Sequence, residues 1–127
     1  FHSESNLTKM AQNIALNDQD REGWLLSLKN LLEQKMMVGK STVLACSALK
    51  DSYRRVLKID QNVRFVYLAG THQQIIERIN NRSGHYMSAN MLASQFEILE
   101  EPKNTLKIDV TNSPEKIVAL IREGLNL

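Results

Sequence analysis

The sequence predicts an α/β fold in which helices cover both faces of a parallel sheet. Three short apolar, partly β-branched runs predict the strands, at 41–46, 63–68 and 106–110. The first run shows no alternation of apolar and polar residues, which is typical of a strand buried on both faces. Helical patterns lie between the three runs. Strand and helix therefore alternate along the chain, and the connections are expected to be right-handed crossovers.

Two helices are predicted before the first strand. A short helix covers about 6–12. A longer one begins near Asp18, with Asn17 or Asp18 as its N-cap, because short polar side chains at that position accept from the free backbone amides. Apolar residues recur at helical spacing over 24–36. Gly39 is expected to end this helix, since glycine adopts the left-handed conformation common after a helix.

Four helices are predicted after the first strand. Three of them cover about 52–58, 73–81 and 90–99. The last begins at Ser113-Pro114, where serine would cap the helix and proline would take its first position. With the strands, these helices complete the alternating pattern of an α/β fold.

Composition narrows the class of protein. The 127 residues suffice for about one domain. Sixteen basic and 14 acidic residues give a net charge of +2, too balanced to require a nucleic-acid partner. No apolar run approaches the roughly 18–20 residues of a membrane-spanning helix. The single cysteine, Cys46, and the absence of a signal-peptide pattern favour a cytoplasmic protein with no membrane partner.

In such a sheet, chemistry is expected beyond the carboxyl ends of the strands. The segments 47–54, 69–72 and 111–113 take that position, and the loop 82–87 could close over them. Gly39-Lys40-Ser41-Thr42 resembles the end of a phosphate-binding loop, but position 34 is glutamine instead of the required glycine. That motif also needs a strand before it and a helix after it. We therefore interpret 39–42 as a helix end leading into a strand.

Cations at the first of these segments indicate an anionic substrate. Lys50 and Arg54 are four residues apart and would share a helix face, where charge-assisted bonds could hold an anion. The alternative is a solvated basic helix that Asp51 partly balances. Asn17 to Arg21 form another charged group, whose carboxylates would cap a helix and whose Arg21 would pair with Asp18 or reach a ligand.

A second cationic group surrounds the possible lid. Arg78 and Arg82 are four residues apart at a helix end and precede Gly84-His85, so they could clamp phosphates and close as a lid. The alternative is that both arginines merely stabilise a helix C-terminus. The sequence shows no metal-ligand spacing, no Ser-His-Asp pattern and no aromatic-basic surface for single-stranded nucleic acid.

Taken together and in order, several segments resemble gluconokinases of the shikimate-kinase-like branch of P-loop kinases. The two most specific are Cys46-Ser47-Ala48-Leu49-Lys50 with Tyr53-Arg54, and Arg82 with Gly84-His85-Tyr86-Met87. The others are Phe1-His2 with Asn6 and Lys9-Met10, Leu16 to Arg21 with Trp24-Leu25, Phe65 to Leu68, and Ser94 to Glu97 with Leu99-Glu100 and Pro102. The resemblance spans nearly the whole chain.

The resemblance implies transfer of the γ-phosphate of Mg-ATP to the 6-hydroxyl of D-gluconate, so that ATP and Mg²⁺ are the expected cofactors. It implies a five-stranded parallel sheet of order 2-3-1-4-5 with a helical lid at about 78–98, and a possible homodimer. Its site residues would be as follows: Lys50, Arg54, Arg21, His2 and His85 on the gluconate side, Arg82 and Arg78 as catalytic lid arginines, and Asn112 to Pro114 near adenine.

The 127 residues lack one part of this pattern. The first strand, the Gly-rich phosphate loop and the first helix would precede Phe1. In the family order that strand is central and lies between the strands at 43–46 and 63–68, which would then face a gap. We interpret 1–127 as a single, N-terminally incomplete kinase domain and expect no useful kinase activity from it alone. The alternatives are an inactive remnant that binds a sugar acid or a protein partner, and a related small-molecule or nucleotide kinase.

Overall fold

The computed structural model describes residues 1–82 and 88–127. Within these ranges the chain forms six helices and two strands. In chain order they are α1 (Glu4–Ala11), α2 (Asp18–Met37), α3 (Asp51–Leu57), β1 (Val66–Ala69), α4 (His72–Asn80), α5 (Ala89–Ile98), β2 (Leu106–Asp109) and α6 (Pro114–Leu125). All six predicted helices are confirmed, with ends shifted by one or two residues. None of the described helices is long and apolar enough to cross a membrane.

The sheet in the described residues has two parallel strands. β1 pairs with β2 in a register that places Val66 opposite Leu106 and Ala69 opposite Asp109. The strands predicted at 63–68 and 106–110 are therefore confirmed, although the first begins at Val66. Their parallel pairing matches the crossover topology that the alternation of strand and helix predicted.

The strand predicted at 41–46 is wrong. Residues 40–49 belong to neither a helix nor a strand, and Val43 is 97% exposed. An extended segment becomes a strand only when a neighbouring backbone supplies its ladder of hydrogen bonds. No segment in the described ranges pairs with 41–46. Local sequence therefore favoured a strand that has no partner here.

The helix ends follow from local capping. Asn17 accepts from the amide of Asp20 while the Asp20 carboxylate accepts from the amide of Asn17, which gives α2 a reciprocal capping box. Gly39 ends the run beyond α2 with φ = +66°, as predicted from glycine's freedom in that region. Ser113 caps α6 and Pro114 takes its first position. These caps explain why the helix predictions succeeded.

The chain divides into two compact units. The first contains the described residues 1–63 and 88–101, which hold α1, α2, α3 and α5. Its core is formed by apolar side chains of these helices and the loop before α2: Leu16, Trp24, Leu25, Leu28, Tyr53, Leu57, Met91 and Leu92. Three polar side chains, Asn6, Arg21 and Arg54, are buried with them. That a single domain covers 1–127 stays a prediction.

The second unit contains the described residues 64–82 and 102–127, which hold both strands, α4 and α6. Ile108, Val110 and Ile117 are buried in it. Gly70 follows β1 where a Cβ atom would lie 2.5 Å from the Val110 side chain, so glycine permits the close approach of the two strand ends. This packing places the loops 70–71 and 110–113 at one end of the sheet.

Candidate active site

In the first unit, the carboxylate of Asp18 joins two helices. Asp18 is the first residue of α2, and its Oδ1 accepts from the Tyr53 hydroxyl of α3 at 2.5 Å. The Lys50 ammonium donates to both oxygens of the same carboxylate, at 2.9 and 3.0 Å. The structure thus brings Lys50, one of the predicted substrate residues, to the N-terminus of α2.

The position of Lys50 follows from the start of α3. Lys50 is the N-cap residue, with extended backbone angles, and the helix begins at Asp51. The expectation that Lys50 and Arg54 share a helix face is therefore wrong, because that spacing applies only inside a helix. Arg55 matches the alternative of a solvated basic helix that Asp51 partly balances. Its side chain is 81% exposed and pairs with Asp51 at 2.7 Å.

Arg21 lies beside this cluster and is only 6% exposed. Its Nη1 donates to the Tyr53 hydroxyl at 3.1 Å, and the guanidinium lies 5.7 Å from the centre of the Tyr53 ring. Among the described residues no carboxylate comes within 4.0 Å of it. The nearby Asp20 binds Lys9 instead, at 2.8 Å. Arg21 is consequently a buried cation without an ion-pair partner in the described part of the chain.

The electrostatics keep this cluster ionised near neutral pH. The Tyr53 hydroxyl and the Lys50 ammonium lower the pKa of Asp18. The hydrogen bond to Asp18 raises the pKa of Lys50. Burial, followed by the bond to Asp18, raises the pKa of Tyr53, so its hydroxyl stays protonated and donates. The cluster therefore presents a lysine in direct contact with a carboxylate and a buried arginine that Asp18 and Asp20 attract only from a longer distance.

Arg54, a predicted substrate residue, turns away from this cluster. It is 8% exposed, and its Nη1 donates to the carbonyls of Ala48 and Leu49 at 2.8 and 3.1 Å. Its Nη2 donates to the carbonyl of Glu100 at 2.8 Å. The guanidinium thus fastens the loop before α3 to the chain after α5.

His2 packs against α2. Its ring stacks on Trp24 with 4.9 Å between ring centres. The Asn6 amide nitrogen donates to the Asp20 carbonyl at 2.7 Å and lies 3.3 Å from Nδ1 of His2. Burial, and then the positive charge of Arg21, lower the pKa of His2. His2 is therefore a neutral ring near Arg21 at neutral pH.

The second unit holds the residues predicted on the nucleotide side. Arg78 of α4 donates through Nη2 to the carbonyl of Val110, just beyond β2. Asp109 accepts from the amide and hydroxyl of Thr111, both at 2.8 Å, and the amide bond lowers its pKa. Asn112 donates to the Asp109 carbonyl at 3.0 Å. The loop that leads to Pro114 is thereby held at the carboxyl end of β2.

Two other predicted residues lie near the end of α4. Arg82 is exposed two residues after this helix. His85 lies outside the described residues. The expected closure of the loop 82–87 also falls mostly outside them. The described ranges contain no group of three or more His, Cys, Asp and Glu side chains arranged to hold a metal ion.

The sequence did not identify three residues of the first unit that contact predicted substrate residues. Asp18 was interpreted as a helix cap or as a partner of Arg21, whereas it pairs with Lys50. Tyr53 and Asn6 were interpreted only as parts of motifs. The available signal was chemical: Asp18 and Arg21 are three apart on one helix, and Tyr53 offers a hydroxyl next to Lys50 and Arg54. Nothing in the spacing of 18 and 53 indicates that they meet.

Comparisons with known proteins identify the family of this chain. No family model matches the chain. A probable gluconokinase of Mus musculus is 38% identical over 146 residues, covering 98% of this chain and 79% of the relative. The gluconokinase of Arabidopsis thaliana is 38% identical over 139 residues, covering 97% of this chain and 74% of the relative. The crystal structure of a gluconokinase from Sinorhizobium meliloti 1021 superposes with a TM-score of 0.86 at 35% identity, covering 98% of this chain and 72% of that one. The predicted α/β kinase fold is thus confirmed, and the chain belongs to the gluconokinase family.

Proposed function

We propose that this protein transfers the γ-phosphate of ATP to the 6-hydroxyl of D-gluconate and so forms 6-phosphogluconate. The gluconokinase relatives support this reaction. The observation that carries it in this chain is the buried Arg21 beside Lys50, Tyr53 and Asp18. A buried cation that lacks an ion-pair partner favours an anionic ligand, because burial of an unpaired charge is costly. No observation favours an inactive remnant.

The first unit offers the chemistry to bind a polyhydroxy acid. Arg21 and Lys50 supply positive charge and hydrogen-bond donors, and Asp18 supplies acceptors for hydroxyl groups. His2, a neutral ring near Arg21, could add one hydrogen bond. Arg54 would act as a positioning residue, since its guanidinium holds the loop that carries Lys50.

On the nucleotide side, Arg78 and Arg82 would neutralise phosphate charge, and Asn112 and Pro114 would lie beside adenine. The loop 110–113 at the carboxyl end of β2 suits that role, because ligands of such sheets bind there. Mg²⁺ is usually held by one or two carboxylates together with the phosphates of the nucleotide, so it needs no cluster of three or more protein ligands, and none is present among the described residues.

Phosphoryl transfer depends on positioning and charge neutralisation more than on covalent chemistry by the protein. Within this scheme Arg21, Lys50 and Asp18 orient gluconate. The resemblance implies that Arg78 and Arg82 stabilise charge that develops on the transferred group. An arginine in such a role can contribute a factor of roughly 10³–10⁵.

Gluconate binding tests the proposal directly. Thermal unfolding of the 127-residue chain is followed with D-gluconate and with sorbitol, a polyol that lacks the carboxylate. A ligand at a hundredfold excess over Kd stabilises the folded state by about 2.7 kcal/mol. We expect gluconate to raise the melting temperature and sorbitol to leave it nearly unchanged. Equal effects of the two ligands, or no effect of gluconate, would contradict the proposal.

Activity is tested with a fusion. The strand, phosphate loop and first helix of a gluconokinase are placed before Phe1, and ATP-dependent formation of 6-phosphogluconate is followed by ³¹P NMR. We expect the fusion to phosphorylate gluconate. Arg55→Met is the matched control, because Arg55 is exposed and pairs only with Asp51 in the described residues. Its activity should equal that of the parent fusion.

A further inference from the structure

We propose a division of roles among the clustered polar side chains of the first unit, and this proposal rests on the proposed function. Arg21 binds the carboxylate of the sugar acid, and the Lys50–Asp18 ion pair binds its hydroxyl groups. Resemblance alone assigns Arg21 and Lys50 to the gluconate side without distinguishing them. The geometry distinguishes them, because only one of the two cations already has a carboxylate partner.

The first step of the argument concerns charge. The Lys50 ammonium contacts both oxygens of Asp18, at 2.9 and 3.0 Å. A substrate carboxylate at Lys50 would therefore meet the negative charge of Asp18 as well. Arg21 has no carboxylate within 4.0 Å among the described residues, and residues 83–87 contain no Asp or Glu. Asp18 and Asp20 also attract Arg21, but over a longer distance. Because Lys50 alone of the two cations directly contacts a carboxylate, the attraction for an added anion is greater at Arg21.

The second step concerns access and geometry. Nη1 of Arg21 donates to the Tyr53 hydroxyl, and neither Nε nor Nη2 of Arg21 forms a hydrogen bond within the described residues. No fully buried side-chain nitrogen in those residues lacks a partner, so the remaining nitrogens of this largely buried side chain keep some solvent-accessible surface. A planar guanidinium can bind a carboxylate through two parallel bonds. Arg21 thus retains the donors that a carboxylate needs.

The third step concerns the hydroxyl groups. The Asp18 side chain is 63% exposed. Its Oδ1 already accepts from both Tyr53 and Lys50, whereas Oδ2 accepts from Lys50 alone and has a further lone pair. A hydroxyl group can donate to Asp18 and accept from Lys50 simultaneously. An ion pair therefore suits a neutral hydroxyl group better than a charged group. The Arg21 and Lys50 cations lie 5.7 and 5.8 Å from the same Tyr53 ring. One extended polyhydroxy acid can therefore contact both.

The test compares D-gluconate with D-gluconamide, which has the same hydroxyl groups but no charge. Kd values are measured by calorimetry on the full chain and on its Arg21→Gln, Lys50→Gln and Asp18→Asn variants. We expect the parent to prefer gluconate by about ten- to a hundredfold, the range of one charged hydrogen-bonding contact. Arg21→Gln should reduce this ratio to nearly one. Lys50→Gln and Asp18→Asn should weaken both ligands and preserve the ratio within about threefold.

The outcomes separate this inference from the proposed function. A parent that binds neither ligand overturns the proposed function, and the inference with it. A parent that binds gluconate while Lys50→Gln, and not Arg21→Gln, abolishes the preference overturns only the inference. Tighter gluconate binding by Asp18→Asn does the same, because it would show that Lys50 takes the carboxylate. If circular dichroism shows Arg21→Gln unfolded, the ratio in Lys50→Gln decides: a preserved ratio supports Arg21, and a lost ratio overturns it.

Discussion

Replacement of Arg54 by methionine tests the part that this buried guanidinium plays in the first unit. Methionine keeps an unbranched stem of similar length and removes the charged head. Its loss frees the carbonyls of Ala48, Leu49 and Glu100, which the guanidinium binds at 2.8, 3.1 and 2.8 Å. We expect Arg54→Met to lower the free energy of unfolding substantially. The folded fraction should lose only part of its affinity for gluconate, because Asp18 still holds Lys50.

The size of the effect follows from these three bonds. A hydrogen bond to a charged group contributes about 1.5–3 kcal/mol. The three carbonyls belong to residues that are partly or fully exposed and regain water in the variant, so the full value is not lost for each. We expect a net destabilisation of about 3–5 kcal/mol. With a urea m-value of about 2 kcal/mol/M, the unfolding midpoint falls by about 1.5–2.5 M.

Urea unfolding followed by the fluorescence of Trp24 provides the assay. Trp24 is the single tryptophan of the chain and is buried in the first unit, so its emission reports on that unit. Arg55→Met is the matched control. It removes a neighbouring arginine that is 81% exposed and forms one ion pair within α3. An exposed pair of this spacing contributes about 0.3–0.5 kcal/mol.

A destabilisation by Arg54→Met within about 1 kcal/mol of the control would refute the reasoning, since the three bonds would then contribute little. Loss of gluconate affinity without loss of stability would instead identify Arg54 as a substrate residue. Arg54→Lys should fall between the parent and Arg54→Met, because one ammonium cannot reach all three carbonyls.

Three further outcomes are expected. Leu28→Ala should cost about 2–5 kcal/mol in urea unfolding, because Leu28 is 1% exposed and its truncation leaves a cavity; Leu26→Ala, at an exposed position of the same helix, should cost far less. Folding lowers the pKa of Asp18, so its contribution to stability is present above its unfolded pKa and is lost as the pH falls through its folded pKa. Asp18→Asn should therefore reduce the loss of stability below about pH 4. An unchanged dependence of stability on pH in that range would contradict this. The 127 residues alone should not phosphorylate gluconate, as they contain no phosphate-binding loop; ³¹P NMR detection of 6-phosphogluconate would disprove it.

The parts of the fold that were predictable are those fixed by near neighbours. The helix beginnings at Asn17 and Ser113-Pro114 are encoded within three or four residues and are confirmed. The segment 41–46 has the composition of a strand, but a strand depends on a second strand, which is often far away in sequence. The wrong prediction at 41–46 shows that β propensity is only a preference, and that a strand forms when a neighbouring strand supplies hydrogen bonds.

The candidate site was predictable in its residue types and less so in their contacts. Sequence placed the side chains of Lys50 and Arg54 together through helical spacing, yet Lys50 is the N-cap outside the helix and binds Asp18, whereas Arg54 binds backbone carbonyls. Arg54 is drawn inward by the carbonyl of Glu100, 46 residues away. Likewise the bond between Asp18 and Tyr53 joins residues 35 apart. Such contacts arise from packing of whole helices, which a motif does not encode.

The unpaired stretch 41–46 bears on how the chain behaves in concentrated solution. Nine uncharged residues, 41–49, lie between Lys40 and Lys50, with no proline among them. Val43 projects almost entirely into solvent, and the apolar Met37 and Val38 just before it are also exposed. An uncharged, β-prone segment with free backbone groups is a template for pairing between chains, and the two flanking lysines are its only electrostatic gatekeepers. Solubility of the isolated chain should therefore fall with rising salt, and Val43→Lys should restore it without disturbing the helices on either side.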